Sequence, residues 1–318
     1  MGRHHALTAD ERAARKGRRR VLEVLIVLLL AAASLVLGFS SQEAPTRGAG
    51  PGGGATAAAA PGPVAVDPAA FPAGGCVRLA PSGPGPAATV VLDAGHGGPD
   101  PGSEGTTADG DVRREKDLTL AVARSAAERL RARGTTVVLT RSTDELGTPL
   151  ADDAVQDGAL TTDASQLDLL GRVRCANVAR ADALVSVHFN SFADAEVGGT
   201  ETLYEPERPI GPRSRALAQS LQTAIRTRLA AAGHTPLDRG IADDSSGAES
   251  GGGHLVLLGP RIPGYIDEPS AMPGALVEPL FLTNPGDLAA VADPAGTDAV
   301  GEAVATGVGE YLDGAQRR

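Results

Sequence analysis

The chain has no tryptophan, five phenylalanines and three tyrosines, so a core for its 318 residues must be assembled mainly from Val, Leu and Ala. Lysine is nearly missing too. Lys16 and Lys116 are the only two, and the other basic side chains are arginines. Positive charge is scarce outside one end. The net charge is −10, yet residues 1–20 hold seven basic side chains against Asp10 and Glu11, leaving 22 basic and 37 acidic groups elsewhere. That balance excludes a nucleic-acid partner, which would need a basic face. Only two cysteines occur, Cys76 and Cys175, and neither has a Cys-x-x-Cys neighbour, so a thiolate zinc site is excluded. No internal repeat is visible.

One long apolar run is present, residues 21–39, interrupted only by Glu23. About twenty residues cross a bilayer as a helix. The preceding Arg15-Lys16-Gly17-Arg18-Arg19-Arg20 cluster would hold that end inside the cell. Residues 21–40 therefore read as a single-pass membrane anchor and 1–20 as a cytoplasmic basic tail, with the rest of the chain extracytoplasmic. A cleaved signal peptide and a secreted product are the alternative, because Ala31-Ala32-Ala33 resembles a small-residue cleavage site. In that compartment Cys76 and Cys175 either bridge or stay as separate buried thiols. Bridging would close a loop of about 100 residues, a contribution of roughly 4–5 kcal/mol in the chain-entropy model.

Residues 41–86 are rich in Gly, Pro and Ala and lack apolar periodicity, which predicts a disordered linker. As a flexible coil it would span about 40 Å. Within it, 76–79 could form a short element docked on the domain downstream. From residue 87 to 313 strands and helices alternate, with 314–318 as a tail. Strands are predicted at 89–93, 135–140, 183–188, 200–204 and 274–278. Helices are predicted at 167–180, 212–232 and 297–312, and after Glu115, with Asp117 as its cap and Gly134 as its stop. This rhythm predicts a three-layer α/β/α domain around a mostly parallel sheet. Two stretches break it: 147–166, acidic with no basic residue, and 241–270, rich in Gly, Ser and Asp.

His96, His188 and Glu278 all fall at or just past the carboxyl end of a predicted strand, and Glu115 opens a helix. That edge of an open α/β sheet is where ligands bind, so residues far apart in sequence can converge there. Two neutral imidazoles and a carboxylate bind Zn²⁺ and leave a position for water, with a further carboxylate as base. Taken alone, His188 after an apolar strand is more often a satisfied core residue. His234 reads as solvated at a helix end, and His254 as a loop histidine. Gly102-Ser103-Glu104-Gly105 lacks the spacing of a nucleophilic serine.

The ordered pieces make a more specific pattern. They are Leu92-Asp93-Ala94-Gly95-His96-Gly97-Gly98 with Asp100-Pro101-Gly102, then Glu115-Lys116-Asp117 and Val138-Leu139-Thr140-Arg141. Ala176-Asn177 leads to Ala181-Asp182, followed by Ser186-Val187-His188-Phe189-Asn190-Ser191, and Val277-Glu278 with Phe281 and Asn284. Over about residues 88–313 the chain resembles the zinc-dependent N-acetylmuramoyl-L-alanine amidases of the third amidase family, which trim bacterial peptidoglycan. The resemblance implies one Zn²⁺ held by His96, Glu115 and His188, with Glu278 as the catalytic carboxylate. Asp93, Arg141 and Asn190 stand beside these as candidates for substrate contact or for supporting the ligands. It also implies peptidoglycan as partner; the apolar run at 21–39 puts that chemistry at a bacterial cell membrane, and the sequence leaves a protein activator open. Pro279 departs from the family pattern by removing a backbone donor just after Glu278. Two other readings are compatible with the sequence: a zinc peptidase acting within wall stem peptides, and a catalytically silent, membrane-tethered wall-binding module.

Overall fold

The computed structural model describes residues 62–85, 87–247 and 253–316. All lie in one compact unit, Ala58–Arg318. The expected cytoplasmic tail and membrane anchor lie outside the described residues. Among those described, no helix is long and apolar enough to cross a membrane.

The elements run in order: β1 (Val64–Ala65), β2 (Gly75–Leu79), β3 (Thr89–Ala94), β4 (Glu104–Thr106), β5 (Val112–Arg114), α1 (Glu115–Ala132) and β6 (Thr136–Arg141). Then come β7 (Val155–Gln156), β8 (Ala159–Leu160), α2 (Thr162–Ala179), β9 (Ala183–Val187), β10 (Thr200–Tyr204), α3 (Gly211–Ala231) and β11 (Asp238–Asp243). The chain closes with β12 (Gly274–Glu278), α4 (Pro285–Val291) and α5 (Pro294–Gln316). Eight strands make one sheet in the order β1-β2-β6-β3-β9-β12-β10-β11, and β4–β5 and β7–β8 are separate small ribbons.

The centre of the sheet, β6-β3-β9-β12, is parallel, as the alternating pattern predicts. Its flanks are mixed. β2 is antiparallel to β6, and β10 to β12, while β11 returns parallel to β10. A parallel neighbour needs a crossover of a dozen or more residues, normally a helix. The connection at 188–199 has no helix and stays at one edge, so β10 must run back the other way.

Each central strand serves both faces. Val90, Leu92 and Ala94 pack with Val137, Leu139, Val185 and Val187 against α1, α3 and α5. Val91, Val138 and Leu184 point to the other side, where α2 supplies Val173, Cys175 and Ala176. The scarcity of aromatics is met by close approach of small residues. A Cβ on Gly307 of α5 would lie 2.8 Å from the Leu221 Cα of α3, a contact that no larger residue allows without displacing a helix.

The expected linker is too long by its second half. Residues 62–85 belong to the domain: β2 pairs with β6, and Cys76 is buried and bonded to Cys175 of α2 (Cα–Cα 5.6 Å). Val77 and Leu79 reach the core through this pairing, so the short docked element expected at 76–79 is β2. At the other end α5 runs to Gln316, three residues into the expected tail. α1 begins at Glu115 itself, so Asp117 lies in its first turn and is not the cap, while α2 begins at Thr162, capped by the Thr161 side chain. The last three residues of β11, 241–243, fall in the stretch expected to be irregular.

Candidate active site

At the carboxyl edge of β3 the chain turns sharply. His96 adopts a left-handed φ of 61°. Gly95 must be glycine for a plainer reason, since a Cβ there would lie 2.4 Å from the His188 ring. The two imidazoles are thereby brought edge to face, centroids 4.9 Å apart. Between them sits the buried carboxylate of Glu115, placed by the start of α1. Its Oε1 lies 3.0 Å from His96 Nε2 and 3.0 Å from His188 Nδ1, and also accepts from the Phe189 N–H at 2.9 Å. Its Oε2 accepts from the Ser103 N–H at 2.8 Å.

The groups around this corner set its charge. Burial by itself would raise the Glu115 pKa, but the hydrogen bonds from His188 and His96 outweigh it and lower it. Burial would lower His96, yet the bonds to Asp100 and Glu115 prevail and raise it to about 10. The corner is built to hold positive charge. Asp100 Oδ2, 2.8 Å from His96 Nδ1, directs the other ring nitrogen, Nε2, inward. The three inward donor atoms lie within 4.8 Å of one another. Ligands at about 2.0–2.1 Å from a tetrahedral zinc stand roughly 3.3 Å apart, so His96, Glu115 and His188 fit such an ion in both chemistry and spacing.

Glu278 lies across a cavity of about 630 Å³ that also takes in His96, Glu115 and His188. By strand alternation it shares its face with Leu276, as Glu201 does with Leu203 on the paired strand. The Glu278 Oε2 atom is shielded from solvent and has no hydrogen-bond partner among the described residues. Burial, then the nearby Glu115 charge, raises its pKa well above the ordinary carboxylate value. Pro279 falls in the step between β12 and the renewed pairing of Asn190 with Leu280 and Leu282, so the strand register is kept.

The three candidate neighbours separate. Asp93 is buried and accepts from Thr140 Oγ1 and Ser186 Oγ, each at 2.6 Å. Arg141 is buried on the α1 side, donating to the carbonyls of Ala94 (2.9 Å), Gly95 (2.9 Å) and Lys116 (2.7 Å). Neither lines the cavity. Arg141 holds the loop that carries His96 and the helix start that carries Glu115, while Asp93 ties β3 to β6, β9 and Arg172. Asn190 does line it, with its Oδ1 accepting from the Ser191 N–H.

Sequence reasoning passed over Arg172, the centre of this support. It pairs with Asp93 (2.9 Å) and Asp168 (2.7 Å) and donates to the His96 carbonyl at 2.7 Å. The available signal was the i,i+4 spacing of Asp168 and Arg172 on the helix face that also carries Cys175 and Ala176. His234 and His254 are elsewhere: His234 meets Asp287 (3.0 Å) and His254 meets Asp244 (2.9 Å). Asn284 caps α4.

A parallel-centred α/β sheet with two histidines and a carboxylate at its carboxyl edge, and a further buried carboxylate in the same cavity, has the arrangement expected of a metal-assisted hydrolase. The family model for N-acetylmuramoyl-L-alanine amidase matches residues 90–310, and the chain belongs to that family. It is 28% identical over 224 residues to the germination-specific N-acetylmuramoyl-L-alanine amidase of Bacillus subtilis, covering 70% of this chain and 79% of that protein. The crystal structure of an N-acetylmuramoyl-L-alanine amidase from Clostridium difficile 630 aligns at 28% identity with a TM-score of 0.51, over 71% of this chain and 97% of its own. The CwlD amidase from Clostridioides difficile, solved in complex with the GerS lipoprotein, shares the fold at 24% identity and a TM-score of 0.54, over 71% of this chain and 98% of its own. The chain is a peptidoglycan hydrolase that cleaves the amide between N-acetylmuramic acid and the L-alanine of the stem peptide.

Proposed function

We propose that His96, Glu115 and His188 hold one Zn²⁺ and that Glu278 moves the proton. When bound, zinc supplies Lewis acidity, lowering the pKa of water toward neutrality and polarising a carbonyl. Glu278 accepts the proton of the attacking water at its carboxylate. It then hands that proton to the departing alanine nitrogen, so the leaving group departs as a neutral amine. Asp100 keeps His96 in the tautomer that offers Nε2, and the Phe189 and Ser103 amides keep Glu115 in place. Arg172, through the His96 carbonyl, holds the turn that presents the imidazole.

The observation that carries this reading is the solvent-shielded, unpartnered Oε2 of Glu278 in the same cavity as the three-donor corner. A buried carboxylate atom without a partner costs free energy, about 1–3 kcal/mol for an unsatisfied polar group, and such a cost is retained where chemistry needs the group. The test incubates the zinc-loaded chain and its Glu278→Gln variant with peptidoglycan and identifies soluble products by mass spectrometry, with bound zinc measured in parallel. Intact stem peptides with an alanine amino terminus are expected from the parent alone, with zinc bound to both. Turnover by Glu278→Gln, or a folded parent that holds no zinc, sinks the assignment.

The apolar run at 21–39 behind its arginines supports a single-pass anchor in the cell membrane with the catalytic domain outside, and the Cys76–Cys175 bridge agrees with an oxidising compartment. Protease added to intact cells should digest the domain and spare residues 1–20. Control by a protein partner is part of the same proposal, CwlD being a relative by fold that was solved with a lipoprotein.

A further inference from the structure

Four phenylalanines fall among the described residues. Phe71, Phe189 and Phe281 are buried, at 6%, 2% and 2% exposure, whereas Phe192 is 57% exposed. In a chain this poor in aromatics, the open one stands at the mouth of the catalytic cavity, four residues beyond His188. Its position is held. The Phe192 N–H donates to Thr283 Oγ1 at 2.9 Å, and the preceding residues pair with the segment just after Glu278. Two hydroxyls line the same cavity: Ser103 Oγ and Ser191 Oγ are hydrogen-bonded at 3.0 Å, and Ser191 directly precedes Phe192 in the chain. In such a pair the accepting hydroxyl keeps its own hydrogen for an outside acceptor. The wall also carries aliphatic side chains, Leu203, Val256, Leu257 and Leu276, among charged and polar ones such as Glu201 and Asp168.

An exposed aromatic ring that shares a cavity wall with two hydroxyls, in the cavity that also holds His96, His188 and Glu278, offers a ligand surface. The chemistry it fits is amphipathic: a flat, C–H-rich face to lie on the ring and hydroxyls or an amide at the edge to meet the serines. A pyranose has that form. We infer that Phe192, with Ser191 and Ser103, is a saccharide subsite that holds the muramic-acid ring of the glycan strand while the lactyl amide reaches the catalytic corner. This rests on the amidase reading, which places a sugar ring a lactyl ether away from the bond being cut. The subsite anchors substrate, and Phe192 takes no part in the chemistry.

The test titrates the zinc-loaded full chain with the peptide-free disaccharide of N-acetylglucosamine and N-acetylmuramic acid, by calorimetry and NMR. Parent protein and Phe192→Tyr should bind it alike, while Phe192→Ala should bind roughly tenfold more weakly, equivalent to 1.4 kcal/mol. On muropeptides Phe192→Ala should raise KM by about the same factor with kcat within about twofold, since only uniform binding is lost. On a lactoyl-peptide lacking the sugar it should match the parent. A parent that does not bind the disaccharide, or Phe192→Ala that binds it as tightly, overturns the subsite. Equal losses of Phe192→Ala on both substrates also overturn it, in favour of a packing role. A parent that binds the sugar in a Phe192-dependent way yet releases no stem peptide supports the subsite and overturns only the amidase mechanism.

Discussion

On the face covered by α1, α3 and α5 the central strands present Val90, Leu92, Val137, Leu139, Val185 and Val187, a dry surface closed by the leucines and alanines of three helices. One residue along, the same strands present Thr140, Asp93 and Ser186, a polar row running across β6, β3 and β9. Arg172 of α2 spans it. Among the described residues that face has one α-helix, α2, with the disulfide and the cavity beside it. The contrast shows a division of labour within one sheet: three helices fill one side, and the incompletely covered side leaves room for substrate. Buried polar groups there position the site at a cost in stability that the dry side offsets.

The largest expected break falls at the edge of the α2 face. Replacing both cysteines (Cys76→Ala with Cys175→Ala) should lower stability by about 4–5 kcal/mol in the chain-entropy model, read from urea unfolding. Arg172→Leu should cost about 3–5 kcal/mol by leaving Asp93 and Asp168 buried without their cation. It should also weaken zinc binding about 10–100-fold, because the His96 turn loses its donor. Unchanged zinc affinity in a folded Arg172→Leu protein would show that the polar row serves the fold alone. On the dry face, Leu221→Ala should cost about 2–5 kcal/mol, yet leave activity per folded molecule unchanged; a proportional loss of kcat would break the division between faces.

The smallest effect runs in the opposite direction. A carboxyl whose pKa is raised by folding binds its proton more tightly in the native state, so its contribution to stability falls as pH rises from the unfolded value, about 4.3, toward the folded one. Burial raises Glu278 in this way. Glu278→Gln should therefore melt higher than the parent at pH 7 when both are metal-free, with the gap closing toward pH 4. Equal melting temperatures at both pH values would mean that the lone carboxylate carries no such cost.

Much of this was open to inspection in the chain before folding. The run Val90 to Leu92 announces a buried strand, the glycines around His96 announce a tight turn, and the four proposed site residues stand where strands end or a helix opens. Arg172 was not visible as a site residue, because an arginine in an amphipathic helix usually faces solvent, and its burial depends on Asp93 from a different strand. The short docked element at 76–79 was legible, but its partner was not, since a five-residue strand is stabilised by β6 and not by its own sequence, and the glycines and prolines around it read as linker.

Local sequence determined the helices, the parallel centre, the identity of the donor residues and the tight turn that Gly95 and His96 require, because these arise from periodicity and backbone sterics. Tertiary structure alone decided that Glu115 meets both imidazoles, that Glu278 is left without a partner, that Cys76 reaches Cys175, and that Phe192 stands open at the cavity mouth. Each of these depends on which strands become neighbours and on which face a residue falls. That choice is made by the packing of the whole sheet, where no short stretch carries the information.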